Sequence, residues 1–202
     1  ALKECNDAWN IALEWDYPWP RIQALHDKGL AYLGMKSINE AQGVADELKE
    51  LIEKGMFRKS IRFYYHLIGM IELENENFSK AVDYFKKAIS FVPFQYFTLP
   101  WLIKHEHALF INSLALAYYK AGHLDKSSEE FERLTSLSLG RLYYGDIYAR
   151  SFYMLGKIFE QKGWKGKAIE NYEKFLDLWK DADPGIAEIE DAEKRLAGLK
   201  RQ

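Results

Sequence analysis

The 202-residue sequence predicts an all-α fold built from stacked antiparallel helix pairs. Three observations predict it. Apolar residues recur at three- and four-residue spacing through most of the chain, the period of one face of an α-helix. A small residue (Gly29, Gly69, Ala115, Gly156) returns every 40, 46 and 41 residues, each time four positions after Leu25, Tyr65, Ile111 or Phe152. A second apolar stripe follows each time and contains a small residue of its own: Ala41, Ala81, Ser127 or Ala168. Self-similarity at such a period marks a repeat array, in which each unit buries its apolar face against its neighbours.

The elements follow in order. Cys5, Trp9, Ala12 and Leu13 fall on one helical face, so residues 1–20 read as the second helix of a truncated leading pair, and the chain as a piece of a longer protein. Residues 21–183 carry four pairs. The first holds Leu25, Gly29, Tyr32, Ile38, Ala41, Ala45 and Leu48. The second holds Tyr65, Ile68, Gly69, Phe78, Ala81, Phe85, Ala88 and Pro93. The third holds Ile111, Leu114, Ala115, Tyr118, Gly122, Leu124, Ser127, Phe131 and Leu134. The fourth holds Phe152, Leu155, Gly156, Phe159, Gly163, Ala168, Tyr172, Phe175 and Leu176. The small residues stand where paired helices cross closest. Gly163 stops a helix because it enters the left-handed region at little cost. Residues 184–202 form a capping helix opened by Pro184, with Ile186, Ile189, Ala192, Leu196 and Leu199 on one side. Its acids (Glu188, Glu190, Asp191) come early and its bases (Lys200, Arg201) late, matching the helix dipole.

The run Phe152-x2-Leu155-Gly156-x2-Phe159, followed by Ala168, Tyr172 and Phe175, resembles the tetratricopeptide repeat. That resemblance implies a right-handed superhelix with a concave face lined by the first helix of each pair. The spacing departs from the family's period of about 34 residues. The extra residues fall at three junctions, near 56–61, 96–107 and 142–148. The last two are apolar, with Tyr96, Phe97, Trp101, Tyr143 and Tyr144 among them. Solvated linkers are rich in Gly, Ser and charge, so these junctions are expected to be helix extensions or packed turns.

Composition removes several function classes. An aromatic share of 15% and a hydrophobic share of 48% argue against disorder. One cysteine allows no disulfide within the chain and is compatible with a cytoplasmic setting. A net charge of −2 gives no global attraction to nucleic acid or anionic lipid. No apolar run approaches the ~20 residues of a membrane span. Phosphate-binding glycine loops are absent. His105-Glu106-His107 has no third ligand at a recognised spacing, Cys5 has no identified base, and the basic turn at 161–167 with Trp164 is too short for a nucleic-acid surface. No catalytic constellation, metal site or cofactor is expected.

The concave positions therefore carry the functional expectation. They are His26 in the first pair, Phe63, His66, Met70 and Leu73 in the second, Asn112, Leu116 and Tyr119 in the third, and Arg150, Tyr153 and Lys157 in the fourth. The first three pairs thus present an apolar and aromatic groove that suits an apolar helix or extended peptide, unless the side chains simply pack within a tight superhelix or against the junction segments; the fourth is polar, with Arg150 and Lys157. The family's carboxylate-binding variety uses Lys, Asn and Arg here; His26, Leu30, Leu67 and Met70 do not fit it. Residues 145–156, 175–184 and 192–196 also resemble C-terminal repeat regions of large bacterial multidomain proteins. That likeness implies a docking or sensing module of a signalling protein, kinase-like or regulator-like. The expected function is a non-catalytic protein-interaction scaffold. Self-association and small-molecule sensing are the alternatives.

Overall fold

The computed structural model describes residues 2–14, 19–55, 57–92, 105–136 and 144–201. Ten α-helices stand among them: α1 (Leu2–Leu13), α2 (Trp19–Gly34), α3 (Ile38–Lys54), α4 (Ile61–Glu74), α5 (Phe78–Ser90), α6 (His105–Lys120), α7 (Leu124–Ser136), α8 (Gly145–Gln161), α9 (Lys165–Leu178) and α10 (Ala187–Arg201). A short 3-10 turn, Arg58–Ser60, leads into α4. The chain divides into two compact units, residues 1–102 and 103–202.

In the first unit α1 packs on α2, α2 on α3, and α4 on α5, while α4 also meets α2 and α3. In the second, α6 packs on α7 and α8 on α9; α8 returns to α6 and α7, and α10 closes against α9. Each is a sequence of antiparallel hairpins, as the repeat predicts.

The hairpins share one turn. The amides of Ser37, Asn77, His123 and Trp164 each donate to the carbonyl five residues back, at 2.8–2.9 Å. The residue before each of them has positive φ: Lys36, Glu76, Gly122 and Gly163. This arrangement satisfies the carbonyls that a helix end leaves open. Four residues on, the amides of Ala41, Ala81, Ser127 and Ala168 return the first bond of the next helix.

Packing explains the small residues. A Cβ on Gly156 would stand 2.6 Å from the Tyr172 ring, and one on Gly69 2.6 Å from the Phe85 ring. Gly29 differs: its close neighbour is Leu67 of α4, in the next hairpin. Phe85 and Tyr172, with Phe63, Phe110, Phe131 and Phe175 elsewhere in the core, are fully buried. Each contributes roughly 1.5–3 kcal/mol through burial. Of the three junctions, the first holds the 3-10 turn. Most of the second, up to residue 104, lies outside the described residues; His105 already belongs to α6. The third, after residues 142 and 143, which are also outside, contains Tyr144 and the first turn of α8.

Candidate functional site

The inner positions behave differently in the two units. In the first, α2 and α4 bring His26 and His66 together, with Nε2 of one 2.9 Å from Nδ1 of the other. Only one of these two nitrogens carries the shared proton. Both rings are buried, at 1% and 0% exposure, as are Phe63 and Leu73. The edge of Phe63 meets His26 at 5.1 Å and Trp19 at 5.4 Å. The Arg62 guanidinium lies 4.5 Å from the Phe63 ring and donates to the Lys59 carbonyl. Burial, and then the neighbouring His26, hold His66 well below the ordinary histidine pKa, so it is neutral at neutral pH. Met70 is half-buried, as is Leu30 on α2, and both reach solvent.

In the second unit the inner face keeps half-exposed side chains of mixed character. Asn112, Leu116 and Tyr119 form one half-exposed stripe on α6, at four- and three-residue spacing. From α8, Gln161 Nε2 donates to the Tyr119 hydroxyl at 2.7 Å. Lys157 is half-buried, with Nζ 5.9 Å from the Tyr119 ring and 5.2 Å from the Tyr153 ring.

Tyr153 is buried and donates to Asp191 Oδ2 at 2.7 Å. Arg195 reaches Asp191 at 2.6 Å and Glu160 Oε2 at 2.9 Å, and the Tyr172 hydroxyl donates to the same Glu160 oxygen at 2.8 Å. Burial and these carboxylates push both tyrosine hydroxyls above their ordinary pKa. Burial alone would raise Asp191, but the hydrogen bonds from Arg195 and Tyr153 outweigh it and hold the carboxyl below the usual range. Arg150 is exposed; it stands 3.4 Å from Glu188 and 5.3 Å from the Trp179 ring. Helix α10 is thus bonded to the inner face of α8 by side chains that the concave-face pattern did not include, Asp191 and Arg195. Their i, i+4 acid–base spacing was the available signal.

The other candidates are placed as follows. His107 is buried, and burial followed by Arg133 pushes its pKa down to about 4. Cys5 is half-buried, and burial raises its thiol, which disfavours the nucleophilic thiolate. Trp164 is exposed but stacks on Phe159, with the Lys162 ammonium 3.9 Å from its ring. Among the described residues no group of three or more His, Cys, Asp or Glu stands ready to hold a metal ion. Among them, too, no helix is long and apolar enough to cross a membrane.

The tetratricopeptide-repeat sequence profile matches residues 64–92 and 149–178, the second and fourth of the four hairpins. A search of curated proteins finds no match. Three solved structures are similar in fold. MamA is 17% identical, with 89% of this chain and 87% of that one covered and a TM-score of 0.56. BtubC (BKLC) from P. vanneervenii is 14% identical over 98% of this chain and 80% of that one, with a TM-score of 0.65. A kinesin-light-chain-like protein from Podosopora anserina, with nearly identical TPR-like repeats, is 16% identical over 91% and 88%, with a TM-score of 0.58. Residues 64–92 and 149–178 thus match the tetratricopeptide-repeat profile, within an all-α array of antiparallel helix pairs.

Proposed function

We propose that this chain is a protein-interaction module that works by binding, without catalysis, and that it takes an extended or helical peptide on the inner face of the second unit. The observation that carries this reading is the half-exposed stripe Asn112, Leu116 and Tyr119 on α6, facing the ammonium of Lys157 from α8. An amide, an aliphatic, an aromatic and a cation in one place suit a peptide with apolar anchors and a carboxylate. Arg150 and Tyr153 contribute less directly, because they are engaged with α10. In the first unit Leu30 and Met70 keep accessible inner surface, while His26, Phe63, His66 and Leu73 are buried. We read the module further as the C-terminal part of a larger bacterial signalling protein, working in the cytoplasm. Support for this is the resemblance of its last third to such proteins, and the lone cysteine.

Selection of a displayed peptide library against the whole chain tests the binding site. Selected peptides are expected to lose at least about tenfold in affinity with Leu116→Ala and Tyr119→Ala combined, a loss of ~1.4 kcal/mol or more. Enrichment of none, or affinity indifferent to both changes, contradicts the reading. A second reading, self-association, is favoured by Ile11 and Leu13, which are 58% and 49% exposed on α1. Light scattering that reports a monomer at every concentration rules it out.

A further inference from the structure

Helix α4 has a second surface. At 100° per residue, Ile61 and Tyr65 lie about half a turn away from Phe63 and Met70. On that side a cleft of about 380 Å³ is lined by Ile52, Glu53, Arg58, Ile61, Tyr65 and Phe91. Its apolar part is aromatic and accessible. Phe91 is 38% exposed; its ring lies 5.8 Å from that of Tyr65, which stacks in turn on Tyr84 at 6.3 Å. Positive charge surrounds it. Arg58 and Lys59 stand exposed on the 3-10 turn, and the Lys87 ammonium lies 5.2 Å from the Tyr84 ring and 5.9 Å from that of Tyr65. Among the described residues none of these three cations has a carboxylate within ion-pair distance, whereas Glu53 stands 3.9 Å from Lys49.

The fourth hairpin supplies an internal contrast. In its register Tyr148 and Phe152 replace Ile61 and Tyr65, and a cleft beside them is bounded instead by α9 of the same hairpin, with Glu170, Glu173, Lys174 and Asp177 in its lining. The clefts share these two helix positions; the fourth-hairpin cleft carries three acids and one base, whereas the first-unit cleft is lined by Glu53 and Arg58.

We propose that the first-unit cleft docks an acidic segment of a partner protein through one bulky apolar side chain. That side chain fills the space between Ile61, Tyr65 and Phe91, and flanking carboxylates pair with Arg58, Lys59 and Lys87. The cleft is large enough for such an anchor, and the unmatched cations choose the sign of its flanks. This site is separate from the inner face and stands whether or not that face binds a peptide.

The test uses the whole chain and a fluorescein-labelled twelve-residue peptide of glutamates around one phenylalanine, followed by fluorescence anisotropy. Tenfold tighter binding is expected than for two control peptides, one with lysines for the glutamates and one with alanine for the phenylalanine. Arg58→Glu combined with Lys59→Glu, both on exposed positions, should weaken it about tenfold with an unchanged thermal melt. Phe91→Ser should weaken it about fivefold, and Met70→Ala and Leu116→Ala should leave it unchanged. Equal binding of the acidic and basic peptides overturns the proposal. So does indifference to the Arg58 and Lys59 changes, or loss of binding with Leu116→Ala. Sedimentation showing self-association that Phe91→Ser abolishes would assign the cleft to a second copy and equally overturn it.

Discussion

Glu76 occupies a position that two of the other hairpins give to glycine. Its φ is 61°, as is that of Lys36, while Gly122 and Gly163 stand at 77° and 73° in the same turn. A side chain in this region costs roughly 1–2 kcal/mol, against the 0.5–1 kcal/mol that glycine loses in flexibility. Glu76→Gly should therefore stabilise the chain by about 0.5–1 kcal/mol, seen as a higher urea midpoint with unchanged slope. A lower midpoint would show that the turn does not need that conformation. Gly156 makes the opposite case. Alanine there would put its Cβ 2.6 Å from Tyr172, whose ring is fully buried and whose hydroxyl is fixed to Glu160. Even after the gain in helix propensity, Gly156→Ala should cost about 1–2 kcal/mol. Gly166→Ala, with nothing within 4 Å, should cost nothing or stabilise by up to about 1 kcal/mol. Equal midpoints for the two alanine variants would contradict the close crossing. These small residues were legible in the sequence because steric exclusion is local and repeats. The positive φ at Lys36 and Glu76 was not, because neither residue type signals it.

Among the elements, α6 and α10 carry the clearest consequences. His107 on α6 is buried, and its pKa of about 4 lies below the ordinary 6.5. The unfolded chain binds a proton below about pH 6.5, and the folded chain does so only near pH 4. This histidine's contribution is therefore complete above pH 6.5 and is lost as pH falls towards 4, at about 1.4 kcal/mol per pH unit, roughly 3 kcal/mol in all. His66 acts in the same direction. Chemical denaturation of His107→Gln between pH 7 and 4.5 should show a shallower fall than the parent; an identical fall would contradict its burial as a neutral ring. For α10, Arg195 joins Asp191 to Glu160 while remaining about a third exposed. Arg195→Met should raise amide exchange in Ala187–Arg201 about fivefold, close to 1 kcal/mol of local stability after solvent screening. Unchanged exchange would show that the helix is held by Ala192 and Leu199 alone. The helices themselves were legible from their 3.6-residue period. The His26–His66 contact and the reach of α10 onto α8 were not, because periodicity tells which face a side chain occupies and leaves open which partner meets it across a helix pair.

At the scale of the whole molecule, two units built from the same hairpin have come to use their inner faces differently. Phe63, His26 and His66 are core residues of the first unit, whereas Asn112, Leu116, Tyr119 and Lys157 keep half-exposed surface in the second. A sequence pattern assigns all of them to one row, since burial depends on what lies opposite: two buried imidazoles that share a hydrogen bond in one unit, a half-buried lysine beside tyrosine rings in the other. Binding of a partner peptide at that second-unit surface is the proposal, and amide chemical-shift mapping with a peptide selected on the whole chain tests it. The largest changes are expected to cluster at Asn112, Leu116, Tyr119 and Lys157. A set of changes confined to other surfaces, with these four residues unmoved, would contradict it.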